Sequence, residues 1–110
     1  MNQLPSDSAE EVLKPNSRQL EVINVTGLDL VATISITQHL QQLNLPSGLS
    51  GEIVFEFTVS QGRVGRVMLD ESTSTLTVAS VVEMIKRSLL TWQVSQALTS
   101  TVHITLRIQP

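Results

Sequence analysis

The chain has two histidines, His39 and His103, and no cysteine. Nucleophilic catalysis would therefore have to pair a serine or threonine with one of those imidazoles. Such a pair works only where a third group orients the base. No spacing around either histidine supplies one, and both fall on solvent-facing positions of regular elements. Both read as surface residues. Asp70 and Glu71 end a strand with adjacent carboxylates, a pair that can touch calcium. The several oxygen ligands and the glycine that complete a calcium loop are missing. The pair reads as a solvated turn whose charge favours the N-terminus of the next helix. Arg63, Arg66, Lys86 and Arg87 are the main bases of the second half, but Glu71 and Glu83 lie close in sequence and dilute them, so they read as a solvated face. Gly62-Arg-Val-Gly65 matches no nucleotide-binding pattern. Gly62 reads as a hairpin glycine, and Gly65 as a bulge or a place of close approach. Nothing here points to an enzyme, and no cofactor and no metal is expected.

Composition narrows the partners. The 110 residues carry a net charge of −3. Acids outnumber bases in the first half, where Asp7, Glu10, Glu11, Glu21 and Asp29 stand against Lys14 and Arg18. Without a positive excess, counterion release gives little affinity for nucleic acid. The only aromatic residues are Phe55, Phe57 and Trp92, too few for a base-stacking surface. There is no polybasic drive toward an anionic membrane. No apolar run approaches the roughly 18 residues of a membrane span, so no membrane insertion is expected. The Met1-Asn-Gln-Leu-Pro5 start lacks the basic and apolar regions of a signal peptide. The compartment stays open.

The elements that must position any site follow from periodicity. Residues 1–18 are polar, hold Pro5 and Pro15, and cluster apolar residues only at Val12 and Leu13. They bury too little to offset ordering and read as a disordered tail or linker. Residues 19–110 read as a single α+β domain. Residues 20–25 form a short strand ended by Thr26 and Gly27. Residues 29–43 are ambiguous. Leu30, Ala32, Ile34 and Ile36 alternate like a strand, whereas Ile36, Leu40 and Leu43 keep helical spacing. With Asp29 as N-cap, the stretch reads as helix. Pro46-Ser-Gly48 marks a loop.

Gly51–Ser60 is the clearest element, with Ile53, Phe55, Phe57 and Val59 on one face and Glu52, Val54, Glu56 and Thr58 on the other. Ser60-Gln-Gly-Arg63 makes a tight hairpin into a partner strand at 64–69. The hydroxyl run Ser72-Thr-Ser-Thr75 is placed to cap the next helix. Val78, Val81, Val82, Ile85, Leu89 and Trp92 then share one helical face. In the last strand, at 99–108, Val102, Ile104, Leu106 and Ile108 point in, while Thr101, His103, Thr105 and Arg107 point out. The expected fold is an antiparallel sheet of three or four strands with one main amphipathic helix on one face.

The order and spacing of residues 51–108 resemble the TonB/TolA C-terminal-like superfamily. The resembling frame is Gly51-Glu-Ile-Val-Phe-Glu-Phe-Thr-Val59, the Gln61-Gly-Arg-Val64 turn, Val67-Met-Leu69, the cluster Glu71-Ser-Thr-Ser-Thr75, a helix ending Ser88-Leu-Leu-Thr-Trp92, and the alternating last strand. In that group a tryptophan after the helix packs across the sheet, the place Trp92 takes. Relatives commonly follow it with an aromatic-proline pair, where this chain has Gln93-Val-Ser95. More weakly, the chain from Leu20 onward is similar to a terminal segment of bacterial, mainly cyanobacterial, proteins that carry a VIT domain and a von Willebrand A domain. The phrases involved are Thr26-Gly-Leu-Asp29, residues 40–50 and Gly65-Arg-Val-Met-Leu-Asp-Glu71.

The first resemblance implies a non-enzymatic adaptor that pairs an exposed sheet edge with an incoming strand of a protein or peptide partner. The last strand is the expected edge, because it holds no lysine or proline inside it to block pairing. That makes Thr99, Thr101, His103, Thr105 and Arg107 the expected partner-binding residues. The same edge would serve a self-association domain that forms a homodimer. A TonB-like arrangement leaves the 20–25 strand peripheral, and a ferredoxin-like βαββαβ arrangement places it between the last strand and the 64–69 strand; the first is favoured, because the stronger resemblance lies entirely in the later elements and Asn24 suits a central strand poorly.

Overall fold

A computed structural model describes residues 19–95 and 98–110. The expected tail at 1–18 lies outside them. The elements run β1 (Leu20–Thr26), α1 (Leu30–Leu40), β2 (Gly51–Ser60), β3 (Arg63–Leu69), α2 (Ala79–Thr91) and β4 (Ser100–Ile108). The four strands form one antiparallel sheet in the order β1-β4-β2-β3. The fold is α+β, and β1 is peripheral, not central as in the ferredoxin-like arrangement.

Period-two patterning sorts the sheet into two faces. Ile53 pairs with Leu106, Phe55 with Ile104 and Phe57 with Val102, and all six are buried. Val81, Ile85 and Leu89 of α2 cover this face together with Ala32, Ile36 and Leu40 of α1. Two helices therefore pack on the sheet where the sequence argues for one main helix. Trp92 is buried at the end of α2, and its indole N–H donates to Ser35 Oγ of α1 at 3.1 Å. A buried tryptophan needs such a partner for its one polar atom. Val78, expected on the buried stripe, is exposed. Its extended backbone serves as the N-cap of α2, so it does not follow the helical face.

Asp29 caps α1 as its type and position imply, Oδ1 accepting from the Ala32 amide at 2.8 Å. The helix ends at Leu40, three residues short of the expected 43. The β2–β3 turn carries positive φ at both Gln61 (50°) and Gly62 (80°), as a two-residue hairpin that matches strand twist requires. Gly65 lies beside a bulge, as its type suggests. The β2–β3 register shifts between Glu56 and Thr58, and the left-handed backbone falls on Arg66, with φ 53°.

The hydroxyl run does not cap α2, which has no side-chain cap bond. It caps a strand. Beyond the last β2–β3 pair, at Phe55 and Leu69, β2 continues without β3. There Ser74 Oγ accepts from the Val54 amide at 2.9 Å and Thr75 Oγ1 from the Glu52 amide at 2.8 Å. The Asp70 amide donates to the Val54 carbonyl at 2.8 Å, and the amides of Thr75 and Leu76 donate to Glu52 O at 2.8 and 3.1 Å. A hydroxyl meets an orphan N–H equally well at a helix start or on a strand, so composition alone points to either. Ser74→Ala should cost about 1–2 kcal/mol by leaving the Val54 amide unpaired. Hydrogen exchange at Val54 is the check, and exchange as slow as in the parent chain would refute the assignment.

Candidate docking edge

The last strand is not an edge. β4 pairs with β1 on one side and β2 on the other, so both of its rows of N–H and C=O groups meet neighbouring strands. The expectation that Thr99, Thr101, His103, Thr105 and Arg107 border an open edge is corrected by that pairing. Thr99 precedes the strand, where its Oγ1 lies 3.5 Å from the Gln61 amide. The other four lie on the sheet face opposite the helices. There Arg107 reaches Glu52 at 3.3 Å and Glu21 at 4.0 Å, and His103 reaches Glu56 at 3.4 Å. Each contact links directly opposed residues of neighbouring strands. They are half-exposed and contribute no more than about 0.2–1 kcal/mol each. Proline at Thr105, which would block an edge, breaks the middle of the sheet here and reports on folding instead.

Among the described residues the edges of the sheet are β3 and β1, and they differ. β3 is defended. At its start Arg63 bridges Gln93, the Val94 amide donates to Gly62 O at 3.0 Å, and the Gly62 amide donates to Leu98 O at 3.0 Å. Gln93, Val94 and Leu98 thus seal the hairpin. Exposed Arg63 and Arg66 add charge along the strand, the bulge twists it, and the 70–75 loop covers β2 beyond it. Charges, bulges and covering loops are the ordinary means of blocking strand addition.

β1 has fewer of these defences. Leu-Glu-Val-Ile-Asn-Val-Thr holds no lysine, arginine or proline. Its register shift falls between Val22 and Asn24, which makes Ile23 the extra residue. Ile23 is 38% exposed, as expected where a bulge re-aims a side chain. Beside β1, α1 leaves Leu30, Val31 and Ile34 at 74, 69 and 49% exposure. A helix that is apolar on both faces normally lies buried on both. This one has nothing over its outer face among the described residues. Sequence reasoning missed these residues, yet their trace was visible. The strand-like alternation of Leu30, Ala32, Ile34 and Ile36 arises because exposed Leu30 and Ile34 flank buried Ala32 and Ile36.

The sites weighed for chemistry find structural employment. His39 Nε2 lies 2.8 Å from the Ser88 carbonyl and 3.1 Å from Thr91 Oγ1. Thr91 Oγ1 also donates to that carbonyl at 2.8 Å. A carbonyl only accepts, so Nε2 carries the proton and is not a base toward the hydroxyl. His39, expected to be an ordinary surface residue, instead ties α1 to α2. Asp70 Oδ1 accepts from the Ser72 hydroxyl at 2.7 Å and amide at 3.2 Å. Ser72 first, then Thr73, hold its carboxyl below the ordinary range. The lowered value adds stability at neutral pH that fades as pH falls through the folded-state value. Arg87 pairs with Glu83 at 3.9 Å within α2. No helix among the described residues is long and apolar enough to cross a membrane. Comparison with protein-family models, with curated proteins and with solved structures finds no match.

Proposed function

We propose that this is a non-enzymatic interaction domain that takes up a partner strand along the outer edge of β1. The carrying observation is the contrast between the two edges: β3 carries Arg63 and Arg66 and is sealed at its start by residues 93, 94 and 98, whereas β1 holds no lysine, arginine or proline and packs beside α1, whose Leu30, Val31 and Ile34 are exposed. Strand addition takes affinity from main-chain hydrogen bonds and selectivity from alternate side chains. β1 offers the first and Ile23, Leu30 and Ile34 offer apolar contacts for the second. The resemblance of residues 51–108 to the TonB/TolA C-terminal-like group supports the same class of function, now carried by the first strand and not the last.

The test is hydrogen exchange on the full chain with short extended peptides of alternating apolar residues. A peptide that binds should slow exchange of amides within β1 and leave those of β3 unchanged. Ile23→Lys should abolish binding, because a lysine on an edge blocks pairing. As a surface change it should shift stability by no more than about 0.5 kcal/mol. Protection at β3 instead, or full binding by Ile23→Lys, would overturn the proposal.

A further inference from the structure

We infer that the occupant of the β1 edge is a second copy of this chain, which pairs β1 with β1 and lays α1 beside α1; the inference rests on the β1 docking reading. Both ends of α1 are tied to β1. The helix follows the strand through residues 27–29, with Asp29 as its cap. The chain that leaves the helix returns to the start of the strand, where Gln19 Nε2 donates to the carbonyls of Leu45 and Pro46 at 3.0 and 3.4 Å. So α1 runs back along β1, while α2 contacts β3 at the other side of the sheet. The helices meet through Ser35 and His39, which reach Trp92, Ser88 and Thr91. Ala32, Ile36 and Leu40 are buried in the core. At about 3.6 residues per turn, Leu30 and Thr37 stand roughly opposite the pair that faces α2, and Ile34 lies next to them on the solvent side. That flank of α1 points out past β1. Leu30 and Ile34 on it are exposed, and Thr37 donates its hydroxyl to the Thr33 carbonyl at 2.7 Å, within the helix. No aspartate, glutamate, lysine or arginine occurs in α1, whereas the outer side of a surface helix is ordinarily charged or polar.

Two unfilled features thus share one border of the molecule, an open strand ladder and, in the layer above it, an apolar helix flank. A lone strand fills the ladder and leaves the flank bare. A lone helix covers the flank and leaves the ladder open. An occupant that covers both carries a strand and an apolar helix at the same offset. A second copy does so by construction, because a two-fold interface is self-complementary. An axis normal to the sheet sets β1 antiparallel to its mate and keeps both α1 helices on one face, flank to flank. Charge does not oppose this approach. The two acids of the border are engaged within each copy, Glu21 with Arg107 and Asp29 with the Ala32 amide, and α1 adds none.

The measurement is sedimentation equilibrium of the full chain from about 1 μM to about 1 mM. Monomer and dimer should interchange with concentration. Raising salt from about 0.05 M to about 0.5 M should not weaken the dimer, since no charge pair holds it. Leu30→Glu with Ile34→Glu should raise the dissociation constant at least about tenfold by placing unpaired charge on the flank, and Ile23→Lys should do the same through the strand. Glutamate forms helix at least as well as isoleucine and suits a first turn, so the circular dichroism of the double variant should match the parent. A dimer indifferent to the double variant or to Ile23→Lys overturns the inference. So does a monomer at every concentration. In that case, protection of β1 amides by an extended peptide leaves the edge standing for a foreign strand, and its absence removes the edge reading as well.

Discussion

Trp92→Ala should lower stability by about 3–5 kcal/mol, the range for deleting a large buried aromatic. Small domains have about 5–15 kcal/mol in total, so the variant approaches the limit of folding. Trp92 is buried at the end of α2 and reaches Ser35 on α1. It thus touches both helices where they meet over the sheet. Removing it opens a cavity and takes away the partner of the Ser35 hydroxyl. Urea unfolding is the measurement, with the midpoint falling and the slope unchanged. Trp92→Phe should retain more than half of the lost stability, because most of the effect is volume and only the indole N–H is missing. A loss below about 1 kcal/mol for the alanine variant would mean that the site collapses around the gap or that Trp92 is not buried.

Gly27→Ala should be nearly as damaging, for a different reason. Gly27 has φ 94°, where a side chain costs about 1–2 kcal/mol. A Cβ there would also collide with the Thr101 carbonyl oxygen of β4. That oxygen belongs to the backbone of the central strand and cannot swing aside. Gly48 is the internal control: its φ is 85°, and an added Cβ would meet nothing within 4 Å. Gly48→Ala should therefore cost only the strain of the left-handed backbone, and Gly27→Ala at least about 1–2 kcal/mol more. Equal losses in urea would show that the turn moves away from β4. The Gly27 carbonyl accepts from Ser100 Oγ at 2.7 Å, a bond that such movement would break.

What was legible in the sequence is what short-range periodicity encodes. Ile53 to Val59 and Val102 to Ile108 alternate cleanly, so their faces are readable without knowing their neighbours. Val81, Ile85 and Leu89 declare the inner side of α2. The hairpin glycine and the cap at Asp29 are local chemistry and read correctly. Strand order is not local. The pairing of Leu20 with Ile108 joins residues from opposite ends of the described chain, and no period records it. The last strand shows the attributes of an open edge because its outward residues are small and polar. A central strand with one solvated face shows the same attributes. The expectation of an open edge falls on β4 for that reason, although the α+β class and the peripheral place of β1 are both readable.

The central place of β4 also governs when the sheet can exist. β1 and β2 do not pair with each other; each meets β4, which follows them both in the sequence. As the chain is synthesised, β2 and β3 can close their hairpin early, but β1 must wait some 80 residues for β4, its neighbour among the described strands. Closing loops of that length before any reward arrives slows folding. Until then the apolar residues of β1 and α1 have no finished core to enter. The inward residues of β1 and α1, Leu20, Ala32, Ile36 and Leu40, are thus the last to be shielded in the newborn chain.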